Sequence, residues 1–114
     1  MTEIIKEKID HKQLTSFLGQ PFDEMIKFVV DIDKKMLALG GEMHADQEQL
    51  LLENGSVQTN LWGGNIYPNK QTEDRLEFTS LINIRPAQDN PAMEIQSPAL
   101  REQIKVILNG LLKL

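Results

Sequence analysis

Residues able to do chemistry gather first at His44, Asp46 and Glu48, which alternate with Ala45 and Gln47. On an extended strand, alternate side chains point the same way, about 6.6–7 Å apart. An imidazole and two carboxylates so placed suit Mn²⁺, Fe²⁺ or Zn²⁺, or supply a general base and an orienting acid. That pattern points to a divalent metal cofactor and a metal-dependent hydrolase as one reading. The other reading is a solvated or partner-facing sheet face, which antiparallel sheets commonly carry. Asn65, Asn83 and Arg85 are the candidate ligand-binding residues. Arg85, at a strand end before Pro86, has the donor fork to hold a carboxylate or phosphate bidentately. It is equally placed to pair with Glu77 or Glu94 on the surface. Gly63-Gly64 suggests a bulge or a close approach of another backbone or a ligand. Its spacing matches neither a Walker loop nor a dinucleotide fingerprint. Ser80 falls on the apolar side of its strand, with nothing placing it within reach of His44, so no nucleophile–base pair is expected.

The elements that must position these residues read as follows. Ser97-Pro98 is a helix start, and Leu100, Ile104, Ile107, Leu108, Leu111 and Leu112 form one apolar stripe behind it. At the other end, Glu3 to Lys6 reads as extended, followed by a helix from about Asp10 that carries Leu14, Phe17 and Leu18 and closes at Gly19. Val30, Ile32, Met36 and Ala38 alternate with polar residues like a strand. Gly40-Gly41 and Asn54-Gly55 read as two hairpin turns. With both as two-residue turns, Ala38 faces Met43, Val30 faces Leu51 and Met43 faces Ile66. Val30, Ile32, Met36, Ala38, Met43, Ala45, Leu51, Trp62 and Ile66 then share an apolar face. Asp31, Asp33, Lys35, Glu42, His44, Asp46, Glu48 and Asn65 share the opposite one. Leu76 to Arg85 is the strongest strand pattern. The competing reading makes Asp46 to Glu53 a helix, with Asp46 and Gln49 as a capping box; Asp46 is then an N-cap and the metal triad dissolves. The expected fold is therefore α+β: an antiparallel meander of about four strands, with N- and C-terminal helices packed on one face, in a single domain over residues 1–114.

Composition narrows the partners. The 114 residues carry 12 Lys+Arg against 17 Asp+Glu, a net charge of −5, which argues against nucleic acid or anionic membrane as partner. Hydrophobic residues at 40% are too many for a disordered chain. Absence of cysteine excludes thiol catalysis and a disulfide framework, and fits a reducing compartment. The N-terminus shows no signal-peptide pattern and no apolar run suits a membrane span, so a cytoplasmic location is expected. Val29, Leu50, Leu52 and Val57 would cluster on the polar face, an exposed patch that a homodimer would cover.

Four segments carry a resemblance. Gly40-Gly41-Glu42-Met43-His44-Ala45-Asp46, Leu51-Leu52-Glu53-Asn54-Gly55-Ser56, Leu61-Trp62-Gly63-Gly64-Asn65-Ile66-Tyr67-Pro68 and Ser80-Leu81-Ile82-Asn83-Ile84-Arg85-Pro86 resemble a family of small uncharacterised bacterial proteins. The resemblance implies a bacterial, stand-alone cytoplasmic domain and brings no assigned reaction or ligand. The leading expectation is a small acidic binding or assembly module acting through its polar sheet face. The metal-dependent hydrolase is the alternative.

Overall fold

A computed structural model describes all 114 residues. Its elements run β1 (Glu3–Ile5), α1 (His11–Thr15), β2 (Ile26–Asp31), β3 (Met36–Leu39), α2 (His44–Glu53), β4 (Leu61–Ile66), β5 (Leu76–Glu77) and α3 (Pro98–Leu111). Short 3₁₀ turns stand at Gln58–Asn60, Thr72–Asp74, Leu81–Asn83 and Pro86–Gln88. The five strands form one antiparallel sheet in the order β1-β3-β2-β4-β5. Because β3 and β4 both run antiparallel to β2, they share a direction. Strands of the same direction need a crossover between them, and α2 is that crossover.

The α+β class and the presence of both terminal helices agree with expectation, although α1 ends at Thr15, so Phe17 and Leu18 lie in the turns that follow it and Gly19 does not close it. Asp10 Oδ1 accepts from the Gln13 N–H at 2.7 Å and the Asp10 N–H donates to Gln13 Oε1 at 3.0 Å, a capping box at the start of α1. Ser97 caps α3 with a 3.2 Å bond from the Leu100 N–H, and Ile104, Ile107, Leu108 and Leu111 are its buried stripe.

Two corrections follow, with a common cause. The β2–β3 reversal falls at Ile32–Lys35, not at Gly40-Gly41, so Phe28 faces Leu39 and Val30 faces Leu37. Asp31 makes this turn: its Oδ1 accepts from the N–H groups of Asp33 and Lys34, both at 2.9 Å. Such an Asx turn competes well with a glycine pair. Gly40 and Gly41 instead turn the chain out of β3 toward α2, at φ +88° and +99°. Their second partner strand does not exist, because residues 44–53 are helix, as the competing reading had it. The helix starts two residues before the expected Asp46 cap, with Met43 at the N-cap.

The sheet is consequently covered on both faces. Phe28, Val30, Leu37, Leu39, Trp62 and Ile66 pack with α1 and α3 in the main core. Val29, Met36, Ala38 and Leu61 pack under Leu51 of α2. The single apolar face expected from the meander is thus split between two layers, and the expected solvated face lies under α2. Asp31, expected on that open face, is fully buried, its Oδ2 accepting from Ser56 Oγ at 2.7 Å. The apolar patch that suggested a dimer is divided as well: Val29 is buried under α2, Leu52 packs beside it and Val57 is exposed. The strand expected over Leu76 to Arg85 ends at Glu77. Beyond it, Ile95 N–H bonds to Phe78 O at 2.9 Å and Ser80 N–H to Met93 O at 3.1 Å. No helix is long and apolar enough to cross a membrane.

Glycine positions test this packing. A Cβ at Gly64 would lie 2.4 Å from the Glu77 carbonyl oxygen and 2.6 Å from Phe28 Cζ, whereas one at Gly110 meets nothing within 4 Å. In urea unfolding, Gly64→Ala is expected to cost about 2 kcal/mol or more through overpacking. Gly110→Ala, inside a helix, is expected to stabilise by up to about 1 kcal/mol.

Candidate functional site

The first turn of α2 sets the geometry. Helical spacing turns His44, Gln47 and Leu51 inward, brings Glu48 to the same side, and leaves Asp46 exposed. The strand placement of His44, Asp46 and Glu48 is therefore corrected, and Asp46 points away from the other two. No three His, Asp or Glu side chains gather anywhere in the chain as a metal site needs. His44 Nε2 lies 2.8 Å from the Gly64 carbonyl oxygen. A carbonyl only accepts, so Nε2 carries the proton, and Nδ1 of the neutral ring is an acceptor. Burial holds His44 below its ordinary range, with Lys27 adding to the effect; the Gly64 carbonyl, Asn65 and Glu77 oppose it in part.

Asn65 stands on β4 next to that carbonyl. Its Nδ2 donates to Glu77 Oε1 at 2.6 Å, and the Tyr67 hydroxyl reaches the same oxygen at 3.4 Å. Burial and the Glu77 charge push the Tyr67 hydroxyl above its ordinary range, so it stays protonated. Asn65 Oδ1 is buried and accepts no hydrogen bond within 3.5 Å, although it stands near enough to the His44 ring to favour its protonated form. His44 and Asn65 share a cleft of about 300 Å³ with Lys27, Thr79 and Ser80, and Met43, Leu81, Ile82 and Met93 supply its apolar walls. Met43, Leu81 and Met93 are well exposed at its mouth.

Ser80 is the residue that sequence reasoning missed. It comes beside His44 because both pack on Gly63, where a Cβ would lie 2.9 Å from Ser80 Oγ and 3.3 Å from His44 Cδ2. The glycine pair was the available signal, as a point of close approach. Ser80 Oγ accepts from the Ile82 N–H at 3.3 Å and caps the 3₁₀ turn at Leu81–Asn83.

Asn83 and Arg85 lie elsewhere. The Asn83 amide accepts from the Gly63 N–H at 2.9 Å and donates to the Gly63 carbonyl at 2.9 Å and to Met93 O at 3.1 Å. It pairs with β4 as a strand's peptide group would, just where β5 has turned away. Arg85 donates from Nη1 to Gln58 O at 2.6 Å and from Nη2 to Leu61 O, and stacks 3.8 Å above the Trp62 ring. Desolvation lowers its pKa, opposed in part by Glu48. Of the three candidate ligand-binding residues, Asn65 alone lines the cleft.

Fold and site together define a three-layer α+β domain with one small, apolar-walled cleft beside its central strands. The chain belongs to DUF5674, a family of proteins of unknown function, which matches residues 3–111. No curated protein and no solved structure shows significant similarity to it.

Two measurements test the geometry. Asn83→Ala strands the buried Gly63 N–H and C=O and is expected to cost at least about 2 kcal/mol in urea unfolding. The native chain keeps His44 neutral, whereas the unfolded chain takes up a proton near the ordinary histidine pKa of 6.5. This group's contribution to stability is therefore full above that pH and lost as pH falls through the lower folded value. The urea midpoint is expected to fall between about pH 7.5 and about pH 5, and to fall less in His44→Gln.

Proposed function

We propose that the chain is a binding module whose recognition site is the His44–Asn65 cleft, and that it takes a small, mainly apolar molecule bearing one hydrogen-bond donor. The observation that carries this reading is Asn65, which lines the cleft and whose Oδ1 is buried with no hydrogen-bond partner within 3.5 Å. An unpaired buried acceptor costs about 1–3 kcal/mol, which a donor from a ligand recovers. Neutral His44 adds a second acceptor, Nδ1, while its own proton is committed to Gly64. Apolar walls with a few converging polar groups are the usual makeup of small-molecule sites. Recognition thus moves from the sheet face expected from sequence, which α2 covers, to the gap between α2 and the Thr79–Ile82 segment.

Phenol and toluene separate the two contributions, because they match in shape and differ in the donor. Titrated against the Met43 and Met93 methyl NMR signals, phenol is expected to saturate, with toluene at least about tenfold weaker. Leu81→Ser, a change at an exposed wall residue, is expected to weaken phenol without lowering the melting temperature. Equal affinity for the two probes, or saturation by neither, would overturn the reading.

A further inference from the structure

A second and larger cavity, of about 650 Å³, lies between α3 and the Thr72–Phe78 segment. Its rim carries Lys8, Arg75, Arg101, Lys105 and Lys113, with Glu73 as its one carboxylate side chain. Five of the 12 Lys and Arg in a chain of net charge −5 thus converge on a single cleft, against one of its 17 Asp and Glu. Pairing does not neutralise them. The only salt bridge in the chain joins Arg101 to Glu94, and Arg75 meets an oxygen of Leu114 at the end of the sequence at 3.3 Å, leaving Lys8, Lys105 and Lys113 with no carboxylate side chain within 4.0 Å. Like charges held together without counter-charge repel one another, and an anion between them removes that cost.

The two guanidinium groups are anchored at one end and free at the other. Arg75 donates from Nε to Lys70 O at 2.9 Å and from Nη1 to Leu114 O at 3.3 Å, leaving Nη2 without an acceptor. Arg101 donates from Nε to Ile95 O and from Nη2 to Glu94, leaving Nη1. Guanidinium carbon Cζ of Arg101 lies 5.6 Å from the centroid of the Phe78 ring. Leu76, Phe78 and Leu112 give the cleft an apolar part.

We infer that this cleft binds a small organic phosphate monoester, its phosphate among the lysines and the free Arg donors, its organic body against Phe78 and Leu76. A monoester carries between one and two negative charges near pH 7 and offers three acceptor oxygens, which suits forked and point-charge donors together. Longer polyanions fit poorly, because a nucleic acid or an anionic bilayer would also lie along the acidic remainder of the surface.

The test is calorimetric titration with phenyl phosphate, inorganic phosphate and citrate, on the full chain and on the double variant Lys8→Glu, Lys105→Glu. Both lysines are exposed, so the variant is expected to keep its circular dichroism and melting temperature. The expected result is saturable binding of phenyl phosphate with a Kd below about 1 mM, at least about tenfold tighter than either other anion. Affinity is expected to fall at least about tenfold in the double variant, and again when salt rises from about 50 to about 500 mM. No saturation, equal affinity for citrate or inorganic phosphate, or undiminished binding by a folded double variant would overturn the proposal. Phenyl phosphate retained in the variant but lost in Leu81→Ser would likewise place it in the other cleft and overturn this one.

Discussion

Two adjacent residues without side chains, Gly63 and Gly64 in β4, set how close everything else can come. On one face, Phe28 closes onto Gly64, and the Glu77 carbonyl lies where a Cβ would have to go. On the other, Ser80 and His44 close onto Gly63. A side chain at Gly63 would push α2 and the Thr79–Asn83 segment off the sheet, and the small cleft between them would lose its floor; one at Gly64 would displace Phe28 and β5 instead. The site is thus a product of backbone proximity, and His44 reaches a main-chain carbonyl, at Gly64, because no side chain stands between.

A short sheet leaves backbone groups to satisfy, and this chain satisfies many with side-chain amides and one carboxylate. Asn83 takes both polar groups of Gly63, and Gln47 donates to the carbonyls of Lys27 and Gly40 at the other end of α2's contact with the sheet. Asn90 gathers the carbonyls of Asn83, Ala92 and Glu94 and accepts from the Gln96 N–H. Asp31 does the same at the β2–β3 turn. Paired in this way, the backbone groups they meet avoid the cost of desolvation, and the exposed edge of β4 is closed against other strands. Such residues have the composition of a binding site and the job of a peptide bond.

That substitution explains what could and could not be seen in the sequence. α3 with its Ser97 cap, and the start of α1 near Asp10, were legible because capping and a 3.6-residue stripe are local signals. The β2–β3 turn was not, since two glycines outweigh one aspartate in a pattern reading, although the Asp31 carboxylate supplies two bonds where a glycine supplies none. Leu76 to Arg85 alternates like a strand throughout, but β4 offers it a partner only as far as Asn65, and Asn83 and Arg85 then serve the same edge through side chains. His44 and Asn65 were legible as polar groups of interest on a geometry that did not survive. What brings them together is the α2 crossover, a long-range packing decision. The cationic cleft left no local trace at all: Lys8, Arg75 and Lys113 come from separate segments, and only Arg101 and Lys105 share a helix turn.

The segment after β5 joins these observations. Leu76 and Phe78 line the larger cationic cleft on the α3 side, while Thr79 and Ser80 line the His44–Asn65 cleft on the α2 side. A chain that continued alongside β4 would fill the space beneath Ser80. By leaving β4 after Glu77 and pairing with residues 93–95, the segment stands off from the sheet and presents a surface to each layer. Asn83 and Arg85 make that departure affordable, because the β4 groups it abandons acquire new partners. Their role is therefore structural, with Asn83 buried and Arg85 half-buried against β4. They hold open the room in which His44 and Asn65 meet, and they need touch no ligand to do so.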